Sequence, residues 1–227
     1  MILGSGLLAS AFSRHFQANG PICVFARGVS NSSETDASNF LREEHALRNA
    51  LASFPRLVYF SSCALVNPAA SDTPYLAHKR RMEHITLEAS TQNIAFRLPQ
   101  VVGRTPNPHT LTNFLNDHIR AGKHFTVWAK AERNLMDVDD IARIAAAMVR
   151  DGIADRLATL ASPRSLPMPE IVAIFEKVLG KHALYSLEDR GDPLLLDTET
   201  CLYYAGKVGI DLHSGYPERV IRHYYGT

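Results

Sequence analysis

Three groups of residues have the types and spacing to carry chemistry. The first is the run Gly4-Ser5-Gly6-Leu7-Leu8-Ala9. Gly4 permits a tight turn, Gly6 lets a pyrophosphate approach the backbone, and the small Ala9 lets a helix pack close to a sheet. Ser5, Leu7 and Leu8 complete the cradle, where the amides of a helix N-terminus favour negative charge. The second group is Ser62, Tyr75 and Lys79. Tyr75 and Lys79 stand four apart, on one face of a helix, and a nearby ammonium lowers a tyrosine pKa from its usual value of about 10. Tyr75 could then exchange a proton with a substrate oxygen while hydride moves to or from a nicotinamide, with Ser62 hydrogen-bonding the same oxygen. The third is Arg27, in the run Phe25-Ala26-Arg27-Gly28-Val29-Ser30-Asn31-Ser32, where no carboxylate precedes Glu34. NAD-binding folds commonly place an acid there for the adenosine ribose. An arginine among hydroxyl and amide side chains suits a 2′-phosphate, which favours NADP with NAD open. As a solvated loop residue, Arg27 would carry no such meaning.

Those side chains need a frame, and the pattern supplies one. Met1 to Leu3 reads as a short strand running into the glycine turn. A helix is expected from Leu7 to about Gln17, stopped at Asn19-Gly20-Pro21. Ile22 to Ala26 is a compact apolar run, as for a parallel strand buried on both faces. Gly28 to Asn39 reads as a loop, Phe40 to Leu51 as a helix, and Leu57 to Phe60 as a strand ending in Ser61-Ser62-Cys63. Pro74 can open a helix that runs from Tyr75 to Glu88, and Ile94 to Leu98 is another strong strand. Further on come a helix over Leu111 to Ala121, a strand over Phe125 to Trp128, a helix capped at Asp139 or Asp140, a strand over Leu157 to Leu160, and a helix over Met168 to Leu179. This alternation predicts an α/β fold: a Rossmann-like, doubly wound parallel sheet with right-handed crossovers and the strand C-termini along one edge. The expected division is a dinucleotide-binding domain over 1–160 and a small C-terminal substrate-capping portion over 161–227. Trp128 and the pairs Tyr203-Tyr204 and Tyr224-Tyr225 are expected to fill core or C-terminal packing.

The pieces occur in an order that resembles the extended short-chain dehydrogenase/reductase superfamily, specifically the NAD-dependent epimerase/dehydratase family. They are the glycine turn, Val58-Tyr59-Phe60-Ser61-Ser62, Tyr75 to Lys79 with Glu83 beyond, Phe96 to Gly103, and Arg133 to Asp140. The resemblance covers nearly the whole chain. It implies Ser62, Tyr75 and Lys79 as a catalytic triad, with Lys79 also touching the nicotinamide ribose. Cofactor contacts are then expected at Gly4, Ser5, Gly6, Leu7, Leu8, Arg27, Ser61, Tyr75, Lys79 and Leu98. Substrate contacts are expected at Cys63, Gln100 and Arg133, with Arg133 near the phosphates of a nucleotide sugar. A surface salt bridge from Arg133 to Asp137 or Glu132 is the competing reading. Four features depart from the family: a glycine turn one residue short, a strand–helix unit missing between Ala26 and Leu57, a short stretch between Ser62 and Tyr75 without a Tyr-Gly pair, and a short chain. The activity implied is NAD(P)-dependent reduction, oxidation or epimerisation at a carbinol of a nucleotide-linked sugar, as in polysaccharide biosynthesis. Two alternatives stand beside it: a cofactor-binding regulatory or redox-sensing protein with a vestigial site, and a reductase of a small non-nucleotide carbonyl.

Composition narrows the field. The formal net charge of +1 gives no basic surface for nucleic acid or membrane. Cys23, Cys63 and Cys201 are too few and too scattered for a disulfide framework or a CxxC metal site, and no metal is expected. No apolar run nears the roughly 20 residues that span a bilayer, and the start lacks the pattern of an export signal. The reading is a cytoplasmic protein with a small-molecule substrate, and the family resemblance implies a homodimer as the expected assembly.

Overall fold

The computed structural model describes residues 1–16, 20–67, 73–153, 156–213 and 215–226. Its first half is β1 (Ile2–Leu3), α1 (Leu7–Phe12), β2 (Ile22–Phe25), α2 (Ala37–Ser53), β3 (Arg56–Ser62), α3 (Pro74–Ala89) and β4 (Ile94–Leu98). Then follow β5 (Gln100–Val102), α4 (Leu111–Ala121), β6 (Phe125–Trp128), β7 (Glu132–Arg133), β8 (Leu135–Asp137), α5 (Val138–Asp151) and β9 (Leu157–Thr159). The chain closes with β10 (Leu166–Pro167), α6 (Met168–Leu179), β11 (Tyr185–Glu188), α7 (Glu199–Lys207) and α8 (Tyr216–Tyr225). The central sheet is Rossmann-like, parallel throughout, and ordered β1-β2-β3-β4-β9.

Local chemistry sets the helix boundaries. The Asp36 carboxylate accepts from the Ser38 amide and opens α2 earlier than apolar spacing suggests. Thr73 caps α3, with Pro74 at the first helical position, where its missing N–H costs nothing. Asp137, not Asp139 or Asp140, caps α5: its carboxylate accepts from both of their amides, at 2.7 and 3.1 Å, which puts those two residues inside the first turn. The first helix also ends sooner than expected, at Phe12. The Ser13 hydroxyl donates to the Ser10 carbonyl, and the chain continues in turns to Phe16. The expected end at Gln17 and the stop at Asn19 lie outside the described residues.

The sheet is packed on both faces. Val24, Val58, Phe60, Ile94 and Phe96 point toward α1 and α5, and their cluster extends through α4, α6 and α8 as far as Ile221. The alternate residues Cys23, Phe25, Leu57, Tyr59 and Ala95 meet Leu47 and Ala50 of α2 and Met82 of α3. Strands β1 to β4 step across the sheet in one direction, yet α1 lies on the face opposite α2 and α3. The β1–α1–β2 crossover therefore has the opposite hand to the two that follow it. Since nearly all such crossovers are right-handed, the first is the left-handed exception, and the expectation of uniformly right-handed crossovers fails there.

This exception relocates the missing unit. In the doubly wound order 3-2-1-4-5-6 the first strand is central, with two strands beyond it. Here β1 is the edge strand. The absent piece therefore falls between α1 and β2, and not between Ala26 and Leu57 as the sequence suggested. Strand β2 takes the place of strand 4 in that order. Two aromatic residues also depart from expectation. On β6, Phe125 and Val127 face inward, so Trp128 alternates outward, 42% exposed beneath the Arg190 guanidinium. Tyr203 is 66% exposed while Tyr204 is buried.

Candidate active site

Parallel strands bring Leu3, Phe25, Ser62 and Leu98 to one edge of the sheet. Gly4 follows β1 with φ of 132°, a conformation open to glycine, and a Cβ there would lie 2.3 Å from the Ala26 carbonyl oxygen. The glycine turn thus closes directly onto the end of β2. A Cβ on Gly6, the N-cap of α1, would meet nothing within 4 Å, so its backbone is open to an approaching group. Gly4, Ser5 and Gly6 are exposed, and Leu7 and Leu8 half-buried. Gly103 presses against Leu7: a Cβ there would lie 2.7 Å from the leucine Cδ1.

Ser62 ends β3 and caps the 3-10 turn Cys63–Val66, its hydroxyl accepting from the Ala64 amide at 3.2 Å. Tyr75 lies close to Ser62: burial raises the Tyr75 pKa above the ordinary phenol value, the Ser62 hydroxyl opposes that rise, and the Glu43 charge adds to it. The sequence predicts instead that Lys79 lowers it. The structure shows why it does not: the Lys79 ammonium lies 5.8 Å from the Tyr75 ring centre and is engaged elsewhere.

That engagement is with Glu43, which sequence reasoning missed. Lys79 Nζ donates to Glu43 Oε1 at 3.2 Å and to the Tyr59 hydroxyl at 3.0 Å. The Tyr59 hydroxyl donates to the same carboxylate oxygen at 2.8 Å. Glu43 Oε2 accepts from the Val29 amide at 2.6 Å and from His78 Nε2 at 3.0 Å, where the imidazole must donate because a carboxylate only accepts. The His78 ring stacks on Phe40 at 4.7 Å. Glu43, His78 and Lys79 are all buried. Burial alone would raise the Glu43 pKa, but His78, the Lys79 charge, the Val29 amide and Tyr59 outweigh it and hold the carboxyl well below the ordinary range. Burial pushes the Lys79 ammonium down, with Glu43 pulling the other way. A sequence signal for Glu43 existed: it stands between Phe40 and Leu47 at helical spacing, a carboxylate within an apolar stripe.

The remaining candidates fall around this edge. Ser61 is buried and its hydroxyl has no hydrogen-bond partner among the described residues, an arrangement costing about 1–3 kcal/mol unless a ligand relieves it. Leu98 pairs in register with Ser62 and is buried. Cys63 is fully enclosed, its thiol pushed up to about 12 by burial, and it offers no group at the open edge. Arg27 is exposed at the end of β2. Because β2 lies on the strand-4 side of β1, Arg27 does not end the strand that reaches an adenosine ribose, and the charge argument for NADP loses its basis. Gln100 and Arg133 come together: the Gln100 amide donates to the Asn134 carbonyl at 2.9 Å, as β5 pairs with β8. Half-buried Arg133 donates to the Glu132 carbonyl at 2.7 Å and makes no salt bridge to Asp137 or Glu132, and burial lowers its pKa. Asn134 beside it is buried and clasps Ser162 through both backbone groups. A groove beside Gly103 is lined by Arg104, Asn113, Asn116 and Tyr225, while a second groove lies at the start of α5; neither is lined by Ser62, Tyr75 or Lys79.

Residues 9–157 match the family described as NAD dependent epimerase/dehydratase family. The chain belongs to that family. Comparison with curated proteins by sequence returns no match. Among solved structures, the chain is similar to the UDP-glucuronic acid 4-epimerase of Bacillus cereus, in complex with UDP-glucuronic acid and NAD, with TM-score 0.68 and 14% identity over 90% of this chain and 75% of that one. The UDP-glucose 4-epimerase of Thermus thermophilus, in complex with NAD, aligns with TM-score 0.68 and 15% identity over 96% and 81%. The dTDP-glucose 4,6-dehydratase of Bacillus anthracis, also with NAD, aligns with TM-score 0.66 and 14% identity over 89% and 71%. At such identities the likeness speaks for the fold. No helix of the described residues is long and apolar enough to cross a membrane.

For the pyridine nucleotide implied by the family, the fit is one-sided. The open glycine turn and the orphaned Ser61 hydroxyl, with Ser62 and Tyr75 beside them, suit its reactive end. No described strand beyond β1 offers a seat for the other end.

Proposed function

We propose that the protein is an NAD-dependent oxidoreductase or epimerase acting at a carbinol of a nucleotide-linked sugar, of the kind consumed in polysaccharide synthesis. The observation that carries the reading is the placement of Ser62, at the end of β3, close to buried Tyr75 in the first turn of α3, on the same strand edge as the Gly4–Gly6 turn, in a chain of this family. The nicotinamide cofactor supplies a hydride acceptor or donor when bound. The Gly4–Gly6 backbone and Ser61 would hold it. Tyr75 exchanges a proton with the substrate oxygen and Ser62 orients that oxygen. A phenol kept protonated by burial suits the direction in which Tyr75 donates. Lys79 acts from beneath the edge: with Glu43 it braces the Val29 amide and so the turn that follows β2. Arg133, half-buried without a carboxylate partner among the described residues, suits the phosphates of the substrate, with Gln100 nearby.

The test is product analysis by NMR after incubation with NAD and a panel of UDP- and dTDP-hexoses, on wild type and Tyr75→Phe. Configuration change or oxidation is expected, slowed by about 10²–10⁴ in the variant. Turnover undiminished by Tyr75→Phe would sink the assignment. A second reading, a cofactor-binding sensor without turnover, is favoured by one observation: the Lys79 charge is spent on Glu43. Cofactor binding with no product from any sugar nucleotide would identify it.

A further inference from the structure

The strand order limits how much of a dinucleotide this chain can hold. A doubly wound sheet is built from two mononucleotide-binding halves, and the dinucleotide lies across the crevice where they meet, beside the first strand. In this chain the first strand has a neighbour on one side only. Strand β1 pairs with β2, and no described strand pairs with its other edge. The connection from Gly4 to Pro21 could not hide a second half. Among its described residues it holds α1 and the turns that follow, and a strand–helix–strand unit needs about 30 residues, more than the connection contains.

The position of α2 and α3 shows which half is kept. They pack on the face opposite α1, so β2, β3 and β4 form the half on the far side of the crevice, and that half carries Ser62 and Tyr75. The Gly4 turn closes onto Ala26 of the same half. Resting on the pyridine-nucleotide reading above, we infer that this chain grips the nucleotide by its nicotinamide mononucleotide portion, and that adenosine adds no affinity. The surface that would distinguish adenosine ribose from its 2′-phosphate belongs to the missing half. Exposed Arg27, just past the end of β2, stands on the retained side. The chain therefore does not discriminate NAD from NADP.

The experiment is a titration of the full chain with NADH, NADPH and reduced nicotinamide mononucleotide, followed by nicotinamide fluorescence. The three dissociation constants are expected to fall within about fivefold, about 1 kcal/mol. A larger preference for either dinucleotide overturns the inference and leaves the functional reading standing, because it reveals a seat for adenosine. Failure of all three to bind overturns both, so the two failures are told apart. The variant Arg27→Ala sharpens the result: it is expected to leave the NADPH-to-NADH ratio unchanged, and a selective loss of NADPH counts against the inference.

Discussion

The two faces of the central sheet are packed by different means, although the same strands serve both. Toward α1 and α5 the sheet presents Val24, Val58, Phe60 and Phe96, and the facing side of α5 adds Ile141, Ile144, Ala145 and Met148. The charge on that face is Arg56, half-buried at the start of β3, whose guanidinium donates to the Val149 carbonyl of α5 at 2.8 Å, and no carboxylate belongs to the cluster. Toward α2 and α3 the alternate residues are mostly apolar too, yet this layer also buries Glu43, His78 and Lys79 around the Tyr59 hydroxyl. Desolvating such groups costs several kcal/mol each, and a well-packed apolar replacement is often no less stable. The charged layer is therefore poor as a stability device, and its position under the Val29 turn and beside the Tyr75 helix gives it another use. One face is mostly apolar packing; the other carries the buried charges beside the candidate site.

The largest expected effect comes from breaking the charged layer on one side only. Glu43→Ala leaves the Lys79 ammonium buried without its counter-charge and is expected to cost about 3–5 kcal/mol in denaturant unfolding. The double variant Glu43→Leu/Lys79→Met is expected to recover most of that loss while remaining impaired in turnover. Equal losses for the single and double variants would mean that shape, and not charge, holds this face.

The next effect is acid sensitivity. Glu43 is depressed in the folded protein from an ordinary 4.5 to about 2. A depressed carboxyl contributes stability that is present above its unfolded pKa and is lost as pH falls through the folded one. Wild type should therefore weaken between pH 4.5 and about 2, the Glu43 share being about 3 kcal/mol. Glu43→Gln, less stable at neutral pH, should show a flatter decline over that window, measured as ΔG of unfolding against pH. Parallel curves would refute the assignment of that share to Glu43.

What was legible in the sequence follows the same division. The apolar face writes itself as periodicity: α4, β6 and α6 fall at the residues their spacing predicts, and the structure ends α4 and α6 on left-handed Gly122 and Gly180, because local rules and burial agree there. Ser62, Tyr75 and Lys79 are legible as candidates because their residue types and spacing lie within one short stretch of chain. The Lys79 partner was not, since Glu43 and Lys79 are 36 residues apart and only the fold brings them together. The handedness of the first crossover was equally hidden. A strand, a helix and a strand read alike in sequence whichever face the helix takes, so the missing unit was sensed but placed on the wrong side of β2. Arg27 shows the same limit: an arginine suits a 2′-phosphate, but the sheet order puts it after β2, which is not the strand that reaches an adenosine ribose.

The smallest expected effect tests the apolar face. Ile144 is fully buried on α5 within the layer that Phe12 and Phe60 enter. Ile144→Val removes one methyl group and should cost about 0.5–1.5 kcal/mol. The cluster contains no carboxylate, and Arg56, the cation of β3 that bonds α5, keeps its charge on acidification, so the cost should be the same at neutral pH and below pH 4.5, the ordinary carboxyl value that governs the other face. Binding of a nicotinamide nucleotide should also be unchanged, because α5 lies across the sheet from Tyr75. A loss that grew on acidification, or that carried a loss of binding with it, would show that the faces are coupled and that the division of labour between them is not real.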